Sequence, residues 1–116
     1  MIDHLVYATP DLDAAIEWVS AALGVRPTPG GRHPGLGTRN ALLDLGGGAY
    51  LEIIGVDGEA GAAGDQSGEP RPFGLDHIAE PRLAAWAAKA DGIDRRVARA
   101  RAAGYDPGPV QPLSRR

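Results

Sequence analysis

Arg32, His33, Thr38, Arg39 and Asn40 are crowded into the eleven residues Gly30–Asn40, among four glycines and a proline. Glycine has no Cβ to restrict φ and proline removes an amide donor, so this composition predicts a shaped loop rather than regular structure. A loop that presents cationic and hydrogen-bonding side chains suits a small, oxygen-rich and anionic ligand. The plainer alternative is a polar connection between two strands with a solvent-exposed histidine. Three further polar groups, His4, Asp44 and Glu52, stand among aliphatic residues in stretches that alternate. With no cysteine in the chain, His, Asp and Glu are its only strong metal ligands, and neither a disulfide framework nor a thiolate nucleophile is available.

Strands and one helix must position these groups. Ile2–Ala8 alternates, with Ile2, His4, Val6 and Ala8 on one face and Leu5 and Tyr7 on the other. Thr9-Pro10-Asp11 then supplies a cap, a first-turn proline and an acid at the positive end of a helix dipole. Leu12, Ala15, Ile16, Val19 and Leu23 follow as one apolar stripe, which Gly24 is placed to end. Val25–Thr28 opens a second strand that Pro27 and Pro29 confine to a sheet edge. Asn40–Leu45 and Ala49–Gly55 are two more strands about the Gly46–Gly48 turn. Ala41, Leu43, Leu51 and Ile53 form a face that a helix can cover. Asn40, Asp44, Tyr50 and Glu52 share the opposite, mixed face.

Residues 57–68 are Gly, Ala and polar groups with little to bury, a flexible linker by composition. Beyond it, Leu12-Asp13 aligned with Ile93-Asp94 reveals a second strand-then-helix unit. In that register Leu83–Ala90 is a strand, Ile93, Val97 and Ala100 line a helix, and Tyr105 opens a further strand. The competing pattern makes Leu83, Trp86, Ala87 and Ala90 a helical stripe. The repeat stops short of its remaining strands, so either the sequence is a fragment or its partner strands come from elsewhere.

The 116 residues suffice for one domain, and six aromatics limit its core. A net charge of −3 with scattered arginines argues against nucleic acid or an acidic membrane surface. No apolar run approaches a membrane span and no basic, apolar leader opens the chain, which makes the expected location cytoplasmic. No hydrolase-type Ser, His and acid cluster or phosphate cradle is present.

Ile2-Asp-His-Leu-Val6, Pro10-Asp-Leu-Asp13, Gly31–Asn40 and Tyr50-Leu-Glu-Ile53 together resemble the glyoxalase-like domains of the vicinal oxygen chelate superfamily, which includes glyoxalases, bleomycin-resistance proteins and dioxygenases. The resemblance implies an α+β fold of two βαβββ modules whose concave faces enclose a divalent metal and an oxygenated substrate. Here residues 1–56 form the first module, 57–71 the linker and 72–116 a second, truncated one. By position the implied metal ligands are His4 and Glu52, an imidazole and a carboxylate that admit zinc, nickel, manganese or iron. The sequence departs from the pattern at Ala85, which stands where the second module's first ligand is expected. For His4 the alternative is a core histidine bonded to Glu52.

Two functions follow. In the first, Arg32, His33, Thr38, Asn40 and Tyr50 bind a small oxygenated metabolite while Glu52 or His33 moves a proton, in lyase, isomerase or dioxygenase-type chemistry with metal assistance. In the second, the same cup binds and sequesters a small molecule without metal or turnover. The short second unit also predicts a homodimer in which the first module's sheet edge or concave face is completed by residues of the second chain.

Overall fold

Five strands, β1 (Ile2–Thr9), β2 (Thr28–His33), β3 (Thr38–Gly46), β4 (Ala49–Val56) and β5 (Arg82–Ala88), form one sheet in the order β2-β3-β4-β1-β5. Two helices, α1 (Leu12–Leu23) and α2 (Ile93–Ala102), accompany it. The computed structural model describes residues 1–33, 35–58 and 70–112, so most of the expected linker lies outside the described residues. The order β1-α1-β2-β3-β4 is the expected βαβββ module, and β5-α2 begins a second unit. Among the described residues no helix is long and apolar enough to cross a membrane.

Asp11 caps α1 by accepting from the Ala14 amide at 3.1 Å, so the helix begins after the cap and Pro10 lies before it rather than in its first turn. Gly24 closes the helix with φ 71°, a conformation that L side chains resist, and its amide donates to the Ser20 carbonyl. Leu12, Ala15, Ile16 and Val19 bury against Ala41, Leu43 and Ile53, with Tyr7 and Leu51 beside them. Each large aliphatic withdrawn from water in this way contributes about 1.5–3 kcal/mol. One sheet face is thereby closed by α1, and the other is left for function.

Gly30–Asn40 is not the irregular loop its composition predicts. β2 and β3 pair through it, His33 opposite Thr38 and Arg32 opposite Arg39, and the described turn residues are Gly35, Leu36 and Gly37. The glycines serve another purpose: the register shifts between Pro29 and Arg32, so Gly30-Gly31 form a bulge opposite Asn40. β2 is an edge strand, as Pro29 requires.

Arg82–Ala88 is a strand, which settles the two readings of that stretch. It pairs with β1 as His4 to Ala87, Leu5 to Trp86 and Val6 to Ala85. The central pair consists of the two residues that the sequence repeat equates, so the two units meet about a local dyad through Leu5 and Trp86. The strand expected from Tyr105 does not form: residues 105–112 are irregular, having no neighbouring strand among the described residues to satisfy their backbone groups. α2 buries none of its residues.

The segment Arg71–Ile78 lies over part of the open sheet face, with Leu75 buried against Val6, Ala8 and Ile54 and Phe73 and Ile78 packed alongside. Its short 3-10 turn, Pro72–Gly74, is pinned at its start by Arg71. That guanidinium donates to the Gly37 carbonyl at 3.0 Å and to Asp76 at 2.6 Å, while the Arg71 amide donates to Asp76 at 2.8 Å. The amide first, and the guanidinium after it, hold the Asp76 carboxyl below the usual aspartate range.

Candidate functional site

Alternation places His4 of β1, Asn40 of β3 and Tyr50 and Glu52 of β4 on the face away from α1. The bulge adds His33. Strict alternation from Thr28 would have sent Arg32 to this face and His33 to the other; the extra residue exchanges them. Arg32 instead pairs with buried Asp57 at 3.2 Å, and its cross-strand neighbour Arg39 reaches Asp13 of α1 at 3.3 Å, both on the helix side. The site face therefore gathers His4, His33, Thr38, Asn40, Tyr50 and Glu52, and leaves Arg32 behind. Asp44 is exposed and accepts from the Gly46 amide in the hairpin turn.

Three contacts organise His4. Its Nδ1 lies 2.7 Å from Asp3 Oδ2. A carboxylate only accepts, so Nδ1 carries a proton, which leaves Nε2 as the nitrogen with a lone pair whenever the ring is neutral. Tyr50 stacks on the imidazole, centroids 4.7 Å apart and planes 12° from parallel. Nε2 faces Glu52 Oε1 at 3.9 Å, too far for a direct hydrogen bond. An imidazole nitrogen and a carboxylate oxygen thus stand side by side on the site face. Asp3 was not singled out in the sequence, although its adjacency to His4 was the available signal; Lys89, with Nζ 3.8 Å from Asp3, carried none.

Glu52 is held from the other side. Asn40 Nδ2 donates to Glu52 Oε2 at 2.7 Å and lies 3.3 Å from His33 Nε2, while His33 Nδ1 lies 2.7 Å from the hydroxyl of fully buried Thr38. Both ring nitrogens of His33 thus have protein partners. The chain Thr38–His33–Asn40–Glu52 crosses three strands.

A divalent ion fits the chemistry of His4 Nε2 and Glu52 Oε1, imidazole nitrogen beside carboxylate oxygen, but these are two donors. Among the described residues no group of three or more His, Asp or Glu could hold a metal. Ala85, at the position equated with His4, pairs with Val6 and adds no ligand.

Solved structures similar to this chain include methylmalonyl-CoA epimerases. That of Mycobacterium tuberculosis is 27% identical with a TM-score of 0.59, over 89% of this chain and 63% of that one. A Streptomyces coelicolor epimerase variant in complex with 2-nitronate-propionyl-CoA is 27% identical with a TM-score of 0.56, over 89% of this chain and 71% of that one. An epimerase complex with methylmalonyl-CoA and NH4+ is 26% identical with a TM-score of 0.56, over 89% and 69%. This chain thus spans less than two thirds of the first of these proteins. No protein of curated function matches it. The profile described as glyoxalase-like domain matches residues 2–116, which makes the chain a member of the glyoxalase-like domain family.

Proposed function

We propose that the sheet face bearing His4 and Glu52 binds a small oxygenated acyl or carbonyl metabolite and that Glu52 moves a proton at the carbon beside its carbonyl. The observation that carries this reading is the imidazole nitrogen His4 Nε2 and the carboxylate oxygen Glu52 Oε1, set 3.9 Å apart on the sheet face away from α1. The likeness to epimerases supports it, since epimerisation next to a thioester is a proton removed and returned. His4 and Glu52 would also hold a divalent ion, with the ligand or a second chain supplying its other donors. Such an ion, when bound, stabilises negative charge on the carbonyl oxygen.

The protein's own residues divide the rest of the work. Asp3 keeps His4 in one tautomer, Tyr50 covers its ring, and Lys89 brings positive charge to that end of the face, suited to an anionic ligand. His33, with both nitrogens engaged, is assigned to the supporting framework rather than to proton transfer.

Incubation with methylmalonyl-CoA in D2O, followed by proton NMR, tests the reading. The signal of the hydrogen beside the carbonyl is expected to disappear, and Glu52→Gln to slow that loss by about 10²–10⁴-fold. No exchange in the wild type would remove this substrate class. A second reading, sequestration without turnover, is favoured by the two-donor set and Ala85; ligand binding unaffected by a chelator, with no exchange, would establish it. For the metal, calorimetric titration with Zn2+ should give binding that the His4→Ala/Glu52→Ala double variant lacks, and identical traces would exclude it.

A further inference from the structure

The Gly30-Gly31 bulge frees one amide from the β2–β3 ladder, and Asn40 takes it: Gly31 N donates to Asn40 Oδ1 at 2.9 Å. A backbone amide is only a donor, so this contact fixes which end of the carboxamide is oxygen. The nitrogen must then face Glu52 Oε2 and His33 Nε2, at 2.7 and 3.3 Å, and its two hydrogens match two acceptors. Both amide hydrogens and one lone pair of the carboxamide oxygen are directed at protein partners. The space is also cut to fit: a Cβ on residue 30 would stand 2.0 Å from Asn40 Oδ1, so only glycine admits this side chain.

We propose that Asn40 is a positioning residue rather than a ligand contact. Its carboxamide, docked in the bulge, holds the Glu52 carboxylate by one oxygen, so that Oε1 alone is presented toward His4 and the bound ligand. It also forces His33 into the tautomer with Nδ1 protonated, donating to Thr38 Oγ1, and Nε2 bare. His33 is thereby locked as an acceptor and kept out of proton transfer. The proposal rests on the reading of Glu52 as the ligand-facing carboxylate, but its signature lies in the protein alone.

Long-range proton–nitrogen NMR correlations of the imidazoles, recorded on the unliganded chain near neutral pH, read that signature. Wild type is expected to show His33 protonated at Nδ1 and bare at Nε2. In Asn40→Asp, a carboxylate replaces the donor, and His33 is expected to carry a proton on Nε2. Gly30→Ala, which expels the carboxamide without altering it chemically, should also release the wild-type tautomer. A wild-type ring protonated at Nε2, or the same His33 spectrum in all three proteins, would overturn the proposal. Should either variant not fold, the wild-type tautomer still decides. Zn2+ alone, titrated into wild type and Asn40→Ala, separates this from the functional reading. A fall of about 10–100-fold in affinity supports positioning of Glu52, and unchanged affinity at a site that still needs Glu52 refutes it. No Zn2+ binding in the wild type tells against the metal while leaving the tautomer to decide on Asn40.

Discussion

Asp3 and Asn40 approach the site from opposite sides, and each spends its polar atoms on orienting a neighbour. Removing the acceptor in Asp3→Ala frees the His4 ring to take either tautomer, and Zn2+ affinity should fall about 10–100-fold by calorimetry. Gly30→Ala should lower stability by about 1–3 kcal/mol in urea unfolding, because the Asn40 side chain must move and strand the Gly31 amide. At this scale the sequence was informative where alternation was unbroken. It placed His4, Tyr50 and Glu52 on one face because β1 and β4 have no extra residue between those positions. It misplaced the role of the Gly30–Asn40 stretch because a bulge leaves no mark in a two-residue period beyond two adjacent glycines, which read equally well as a loop. Whether Arg32 or His33 faces the site turns on that one inserted residue.

The elements differ sharply in how they are held, although the repeat makes α1 and α2 counterparts. α1 has a side-chain cap, a left-handed glycine at its end and a buried stripe; Ile16→Ala should cost about 2–5 kcal/mol and Asp11→Ala about 1 kcal/mol in denaturant unfolding. α2 has no side-chain cap contact and no buried residue, and Ile93→Ala should change stability by less than about 0.5 kcal/mol. Periodicity showed both helices but could not show this contrast, since burial depends on the sheet beneath and not on the helix itself. The segment over the site face responds to acid. The Asp76 carboxyl is depressed in the fold, so its contribution is present above the ordinary aspartate pKa and is lost as pH falls through the lower folded value. The stability difference between wild type and Asp76→Asn, followed by denaturant midpoints, should therefore be present at neutral pH and shrink toward strongly acidic pH.

For the whole molecule, the local dyad through Leu5 and Trp86 makes the second unit a counterpart of the first that, among the described residues, has only its first strand and helix. Leu83 and Trp86 are about two-thirds exposed there. A sheet edge with such residues favours pairing with another chain, and sedimentation at micromolar concentration should show a dimer mass; a clean monomer with cooperative unfolding would mean that the unit stands alone. The same topology governs the order of assembly. β1 precedes the other four strands in sequence yet is an interior strand of the sheet. His4 meets Tyr50 on one side and Ala87 on the other, neither of which exists when His4 leaves the ribosome. Such long-range closure is slow, and one edge of β1 waits for β4 and the other for β5. His4, which bears the site, is therefore flanked on both sides only once β5 has emerged, which leaves one edge of its strand open to wrong pairing until then.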